Sequence, residues 1–178
     1  MLKRGLDLAL AIACLPLFLP ICLIIGIFIK LRSKGPVFFI QKRVGLNSDE
    51  FGLIKFRTMR VAVNDEVHST TTQRNDPRIF KGGQFLRKYK LDELPQIINV
   101  IIGTMSIVGP RPTVLADHMR MTSRQQRRVS VQPGLTGLAQ INGGTRLTWP
   151  ERIELDLEFF ELSKKRIEKE LKNPKMQL

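Results

Sequence analysis

Residues 8–29 form an apolar run, LALAIACLPLFLPICLIIGIFI, without a charged residue. The run is about as long as a helix that crosses a bilayer. Pro16 and Pro20 interrupt it, and each removes a backbone donor and favours a bend. Basic residues flank both ends: Lys3, Arg4, Lys30, Arg32 and Lys34.

Positive charge tends to stay on the cytoplasmic side of a membrane, and basic flanks on both sides give no direction for a crossing. We therefore predict a re-entrant helix-hairpin over residues 1–34 that enters the membrane and returns. A straight spanning helix is the alternative. A signal peptide is disfavoured because no small-residue cleavage site follows the run.

The next apolar positions predict a short β-hairpin. Residues 35–43 begin with a Gly-Pro break and continue with strand character, and residues 44–48 form a polar turn. Residues 51–59 alternate with period two, which places Lys55 and Arg57 on one face. That face is either solvated or one half of a phosphate-binding clamp.

The central segment, residues 90–112, contains a predicted helix. Its apolar positions have helical spacing: Leu94, Ile97, Ile98 and Ile101. Gly103 ends the pattern, and Asp92 and Glu93 precede it. Asp92 is a favoured N-cap residue, so we predict that the helix begins at this acidic pair.

Four further segments complete one domain over residues 35–178. Residues 113–131 predict a helix with a cationic end, and residues 151–178 predict a helix that frays into a polar end. The glycine-rich residues 133–144 indicate either close approach of the backbone to a ligand or a tight loop. Residues 60–77 predict a polar surface loop. The fold class is α+β and mainly helical.

The charge of the chain predicts an anionic partner. Lys and Arg total 29 against 16 acidic residues, a formal charge of +13. Nucleic acid is disfavoured, because aromatic residues are few and no nucleic-acid-binding motif occurs. Cys14 and Cys22 lie in the apolar run, so neither a disulfide framework nor a zinc site is predicted. His68 and His118 are isolated and are predicted to lie on the surface.

An acidic pair in so basic a chain has two explanations. Asp92 and Glu93 could simply cap a helix and interact with its dipole, a stabilisation of about 1 to 2 kcal/mol. Alternatively, a carboxylate near a helix N-terminus and surrounded by arginines could attack phosphorus or hold a metal bound to phosphate. Arg111 lies in a Gly-Pro-Arg-Pro turn whose prolines stiffen the backbone around a guanidinium.

Four motifs occur in one order and cover nearly the whole chain: KFRTM, LRKYKLDELPQIINVIIGTMSIVGPRP, PGLTGLAQING and ERIELDLEFF. Together they resemble the bacterial sugar transferase family, the monotopic polyprenyl-phosphate phosphoglycosyl transferases. The resemblance implies a membrane enzyme of the bacterial inner membrane with its catalytic domain on the cytoplasmic face. Its partners would be a UDP-sugar, polyprenyl phosphate and membrane lipid, with no nucleic acid, and homo-oligomerisation is left open.

The resemblance also implies roles for individual residues. Asp92 would be the nucleophile that forms an aspartyl phosphosugar and releases UMP, and Asp92 and Glu93 would hold Mg²⁺. Pro20 matches the position of the membrane kink. The resemblance implies four phosphate-binding residues: Arg87, Arg111, Gln140 and Arg146. We add Lys55 and Arg57 from the strand pattern.

The chain departs from the family pattern in three places. Thr104 stands where an acidic residue is common, and Asn142 and Arg146 are separated by Gly143, Gly144 and Thr145 where Asn-Gly-Arg is usual. Residues 163–178 are strongly polar where relatives continue with an apolar segment. These departures leave one alternative function open, a non-catalytic, membrane-tethered scaffold that binds anionic lipid.

Overall fold

A computed structural model describes residues 2–60 and 76–171. Most of the predicted loop at residues 60–77, with His68, and the chain end from residue 172 lie outside the described residues. The helices are α1 (Leu2–Arg32), α2 (Gly83–Lys88), α3 (Gln96–Ile102), α4 (Leu115–His118), α5 (Ser123–Gln126), α6 (Leu138–Ile141) and α7 (Trp149–Leu171). The strands are β1 (Phe38–Val44), β2 (Glu50–Phe56), β3 (Ser106–Val108) and β4 (Gly134–Thr136). The expectation of a mainly helical fold with a small antiparallel hairpin is confirmed.

The N-terminal apolar run forms one helix, α1, which contains both Pro16 and Pro20. Within the described part of the chain, it is the one helix long and apolar enough to cross a membrane. A single stripe faces the rest of the domain and consists of Asp7, Ala11, Phe18, Cys22, Ile25 and Ile29. The other faces leave many large apolar side chains exposed, among them Leu17, Leu23 and Leu31. The re-entrant path and the boundary at residue 34 stay predictions.

Hydrogen bonds attach the start of α1 to the domain. At the N-terminal end, the Arg4 guanidinium donates hydrogen bonds to the carbonyl oxygens of Val100 and Ile101, and Asp7 accepts from the Ser106 hydroxyl at 2.7 Å. These carbonyls belong to the last turn of α3, where the helix satisfies its acceptors only in part; the Val100 oxygen also accepts from the Gly103 amide at 3.2 Å. The N-terminus of α1 is therefore fixed to the helix that follows the acidic pair.

The hairpin pairs β1 with β2 in antiparallel register, with Phe39 opposite Lys55 and Arg43 opposite Phe51. Directly opposed residues share a face, so Arg43 and Lys55 lie on the same side of the hairpin. The Asn99 side chain joins the hairpin to α3, since it accepts from the Ile54 amide at 3.0 Å and donates to the Gly52 carbonyl at 2.8 Å. The hairpin is thereby held against the central helix.

Two apolar clusters hold α1 against the domain. The first consists of Ala11, Leu53, Ile97, Val100 and Met105, and the second of Ile25, Ile29, Phe56, Phe80 and Leu86. Both join α1 to β2, and the first adds α3 while the second adds α2. A third cluster, consisting of Met121, Ile153 and Leu157, packs α7 against the segment before α5.

The glycine-rich residues 133–144 form secondary structure rather than one loop, and the alternative of close backbone approach to a ligand stays a prediction. They contain β4 and α6, and β4 pairs in parallel with β3. A Cβ atom on Gly109 would lie 2.2 Å from the Gln132 carbonyl oxygen, and one on Gly137 would lie 2.2 Å from the Gly109 carbonyl oxygen. The glycines thus allow two backbone segments to touch, which brings the Arg111 turn beside α6.

Several local predictions are wrong. Residues 113–131 form α4, α5 and a 3-10 turn (Arg127–Ser130) instead of one helix. A bend separates α4 from α5 because Thr122 begins the second helix with a capping box to Gln125. His118 is buried, and its Nε2 lies 3.3 Å from the Ser48 hydroxyl. In the predicted stripe of α3, Ile98 is 41% exposed, while Asn99 and Val100 are fully buried.

Candidate active site

The acidic pair lies in a 3-10 turn, Leu91–Glu93, between α2 and α3. Lys90, directly before it, has φ of 59°, a left-handed conformation that is uncommon outside glycine and frequent at functional sites. The predicted helix start at Asp92 is therefore wrong. Pro95 occupies the N-cap and α3 begins at Gln96, because the chain that leaves α2 first forms the 3-10 turn.

Glu93 forms a bidentate ion pair with Arg111. Arg111 Nη1 lies 3.0 Å from Glu93 Oε2, and Nη2 lies 2.5 Å from Oε1. Burial alone would raise the pKa of Glu93, but the hydrogen bonds and charge of Arg111, together with Lys55 and Lys90, lower it to about 2. Glu93 is therefore ionised at neutral pH and holds the Arg111 guanidinium in place.

Asp92 differs from Glu93 in its hydrogen-bond partners and in the direction of its pKa shift. It is buried, and its Oδ1 has no hydrogen-bond partner. Burial, and then repulsion by Glu93, raise the pKa of Asp92, while the charges of Lys55, Arg87 and Lys90 oppose the rise. The structure thus places one carboxylate oxygen, free of hydrogen bonds, among basic side chains.

The basic side chains around the pair come from three separate elements. Lys55 lies at the end of β2, Arg87 in α2, and Arg111 in the turn after β3. Burial, offset in part by Glu93, lowers the pKa of Lys55 to about 8. The structure therefore brings together Lys55, Arg87 and Arg111, three of the predicted phosphate-binding residues.

Arg43 also belongs to this group and was missed by the sequence reasoning. Burial and the nearby Arg111 charge lower the pKa of Arg43, and its guanidinium donates to Gln41 Oε1 at 2.7 Å. The signal that could have found it is the hairpin alternation, which puts Arg43 on the same face as Lys55.

Arg57 lies elsewhere. Its strand has ended at Phe56, and its guanidinium donates to the Pro36 carbonyl at 2.5 Å, the Ser33 hydroxyl at 2.8 Å and the Ser33 carbonyl at 2.8 Å. Only 5% of Arg57 is exposed. Its donors bind the segment that links α1 to β1, so the period-two argument that paired it with Lys55 fails where the strand stops.

A cavity of about 580 Å³ opens beside Glu93 and Arg111. Its volume is in the range typical of small-molecule sites. The apolar part of its wall consists of Phe18, Leu94, Ile97, Leu135 and Ala139. The polar part consists of Lys90, Glu93, Arg111, Gln140, Thr145, Arg152 and Asp156, and Gly143 and Gly144 complete the wall. Phe18 belongs to α1, so the apolar N-terminal helix contributes directly to this cavity.

Two predicted residues have different positions relative to the cavity. Gln140 lines it, whereas Arg146 is an exposed residue of the 3-10 turn Gly144–Arg146. Arg152 and Asp156 of α7 also line the wall and were not predicted. Their spacing of four residues puts both on one face of a helix, which a search for inward-facing polar positions could have found.

The two carboxylates fit a magnesium ion that arrives with a diphosphate. Mg²⁺ uses one or two carboxylates, while substrate phosphates and water complete its coordination. Asp92 Oδ1 has no partner, and each Glu93 oxygen that accepts from Arg111 retains a second lone pair. Over residues 2–60 and 76–171 no cluster of three or more His, Cys, Asp or Glu side chains occurs. Any such ion would therefore depend on substrate oxygens.

The sequence profile described as "Bacterial sugar transferase" matches residues 1–168, nearly the whole chain. The chain belongs to the bacterial sugar transferase family. Similar proteins include the "UDP-glucose:undecaprenyl-phosphate glucose-1-phosphate transferase" of Escherichia coli (strain K12). It is 45% identical over 167 residues, which are 89% of this chain and 36% of that protein.

Two further relatives have different names. The "UDP-N-acetylgalactosamine-undecaprenyl-phosphate N-acetylgalactosaminephosphotransferase" of Aeromonas hydrophila is 38% identical over 89% of this chain and 38% of its own length. The "Exopolysaccharide production protein ExoY" of Rhizobium meliloti (strain 1021) is 37% identical over 89% of this chain and 76% of its own length. The chain thus spans little more than a third of the first two relatives and about three quarters of the third.

Proposed function

We propose that the protein is a phosphoglycosyl transferase that moves a sugar 1-phosphate from a UDP-sugar to polyprenyl (undecaprenyl) phosphate. This would be the first membrane step of a bacterial glycan pathway. The observation that carries the proposal is Asp92, a buried carboxylate with one oxygen free of hydrogen bonds, beside Lys55, Arg87 and Lys90. The named activities of the E. coli and Aeromonas relatives support the reaction class.

Asp92 is the proposed nucleophile. Its free oxygen attacks the phosphorus atom that carries the sugar, a new P–O bond forms to Asp92, and the bond to the bridging oxygen breaks so that UMP leaves. An oxygen of the polyprenyl phosphate then attacks the same phosphorus, which breaks the P–O bond to Asp92 and restores its carboxylate. Each step displaces one oxygen by another, as in a ping-pong mechanism.

The surrounding charges have separate roles in this proposal. Lys55 and Arg87 reduce the repulsion between the Asp92 carboxylate and the anionic diphosphate, and they stabilise the charge that develops on the phosphoryl oxygens. Glu93 fixes Arg111, so its remaining donors are already oriented when phosphate arrives. Mg²⁺ held by Asp92 and Glu93 would supply charge neutralisation on the diphosphate.

The position of α1 supports a site at the membrane surface. Its exposed faces are apolar, its N-terminal end is hydrogen-bonded to the domain, its C-terminal end packs through Ile25 and Ile29 in the second apolar cluster, and Phe18 at its middle lines the cavity. A helix bound to one domain at both ends is suited to entering a bilayer and returning to the same side. We accordingly propose an inner-membrane protein with a re-entrant α1 bent near Pro20 and its catalytic domain on the cytoplasmic face.

The direct test is capture of the covalent intermediate. Full-length protein in nanodiscs is incubated with Mg²⁺ and each of several UDP-sugars without acceptor, and the intact mass is measured. We expect a mass increase of one sugar phosphate per chain and release of one UMP. Addition of polyprenyl phosphate should remove the added mass and start continuous UMP release.

Asp92→Asn should abolish both signals. The matched control is Asp49→Asn, because Asp49 is an exposed aspartate in the hairpin turn and is not among the charges that shift the pKa of Asp92 or Glu93. A folded wild type that releases UMP from no donor would refute the transferase and favour the membrane-tethered scaffold. UMP release that persists in Asp92→Asn would refute the nucleophile while leaving the reaction in place.

A further inference from the structure

We propose that Gln140 and Asp156 form a subsite that binds the hydroxyl groups of the donor's sugar ring and selects among UDP-sugars. The inference rests on the proposed function and names the part of the substrate that this wall takes. Both residues line the cavity that Lys90, Glu93 and Arg111 also line. The sugar remains bonded to the reacting phosphorus in both proposed steps, so its ring must lie next to the acidic pair.

Asp156 is a fixed hydrogen-bond acceptor with one oxygen unused. Its Oδ2 accepts from both Nε and Nη2 of Arg128, while its Oδ1 has no partner. Arg128 Nη2 also donates to the carbonyl oxygen of Arg111 at 2.7 Å, so the pair is tied to the turn that carries Arg111. Only 4% of the Asp156 side chain is exposed. A carboxylate anchored through one oxygen presents the other in a fixed direction.

Gln140 adds a donor and an acceptor. Its side-chain nitrogen and oxygen are both buried and both lack a partner. Buried polar groups without partners are rare because each costs free energy, so an unpaired amide in a cavity wall indicates a ligand that pairs with it. Sugar hydroxyls both donate and accept, and they match an amide and a carboxylate oxygen.

Other parts of the substrates fit this wall less well. A polyprenyl chain has no atoms that hydrogen-bond, so it would leave Gln140 and Asp156 unpaired. A diphosphate would be repelled by the free oxygen of Asp156. The cation on the same helix face, Arg152, already donates to the carbonyl oxygens of Thr145 and Leu147, whereas Lys90 and Arg111 lie beside Glu93. Leu135 and Ala139 supply an apolar surface against which the C–H face of a pyranose ring can pack.

The experiment measures binding and turnover for Gln140→Leu and Asp156→Asn in the full-length protein. The control is Glu154→Gln, which neutralises a carboxylate on the same helix whose partner, Arg124, lies outside the cavity. The donors are UDP-glucose, UDP-galactose and their two N-acetylated forms. UDP, which lacks only the sugar, is used as a competitor, and polyprenyl phosphate is the acceptor.

Loss of one hydrogen bond to a sugar hydroxyl should lower kcat/KM for the preferred donor about tenfold in Gln140→Leu. The loss should be about 10- to 100-fold in Asp156→Asn, where the lost bond is to a charged group. The preference among the four donors should change in both variants. The inhibition constant of UDP and the KM for acceptor should stay within about twofold, and Glu154→Gln should resemble the wild type.

Four results would overturn the subsite. Equal losses for all four donors would indicate a structural role. Weaker inhibition by UDP would assign the wall to the nucleoside diphosphate, and a raised acceptor KM would assign it to the lipid. Binding of donors relative to UDP, measured calorimetrically, separates this proposal from the proposed function. Wild type that binds a UDP-sugar more tightly than UDP without turnover retains the subsite and refutes the transferase, whereas equal affinities refute the subsite.

Discussion

Replacing the two neighbouring carboxylates one at a time should change stability in opposite directions. Glu93 has a pKa lowered from 4.5 to about 2, and its side chain is 17% exposed. One pKa unit corresponds to about 1.4 kcal/mol, so the ionised Glu93 stabilises the fold by at most about 3 kcal/mol. The Arg111 side chain is 40% exposed, and solvent screening reduces this to about 1–3 kcal/mol.

Glu93→Gln should therefore lower the Tm by about 2–12 °C, because 1 kcal/mol corresponds to about 2–4 °C in a chain of this size. Asp92→Asn should raise the Tm at neutral pH. The pKa of Asp92 is raised by burial and by Glu93, so its ionised form destabilises the fold, and the neutral amide removes that cost.

The assay is thermal unfolding of full-length protein in nanodiscs, monitored by the fluorescence of the single tryptophan, Trp149. Asp49→Asn is the control. Because the folded pKa of Glu93 is depressed, its stabilisation is complete above the unfolded pKa near 4.5 and is lost as the pH falls towards 2. The difference between wild type and Glu93→Gln should shrink over that range. Shifts of the same sign for Asp92→Asn and Glu93→Gln would refute the electrostatic assignment.

Two further predictions concern Lys55 and Arg57. The pKa of Lys55 is about 8 and its cationic form is the proposed phosphate partner, so kcat/KM should fall as the pH rises through about 8. Lys55→Arg should remove this decrease in kcat/KM. A pH profile that is the same in Lys55→Arg and the wild type would contradict phosphate binding by Lys55. Arg57→Met should lower the unfolding free energy by about 2–4 kcal/mol, because it leaves the Ser33 and Pro36 carbonyls unpaired, with the KM for donor unchanged. A raised KM without loss of stability would restore Arg57 to the phosphate site.

The local predictions that held depend on interactions within a short stretch of chain. The apolar run predicted α1, and the alternation of residues 51–59 predicted β2, although the strand ends at Phe56, because helix and strand periodicity arise from nearby residues. Gly103 ends α3 with φ of 90°, as its identity predicted. Failures occurred where a local preference met a tertiary constraint, as at Asp92, a good N-cap residue that the fold places in a 3-10 turn.

The candidate site shows the same division. The sequence by itself determined the acidic pair, the flanking cations and the apolar helix, since these are properties of residue type and order. Only the tertiary structure decided that Glu93 pairs with Arg111, that Arg57 binds the α1–β1 link, and that Asp156 lines the cavity. These contacts join residues 18 or more positions apart. Their geometry is fixed by the packing of α1, the hairpin and α7 around α3, which no local pattern specifies.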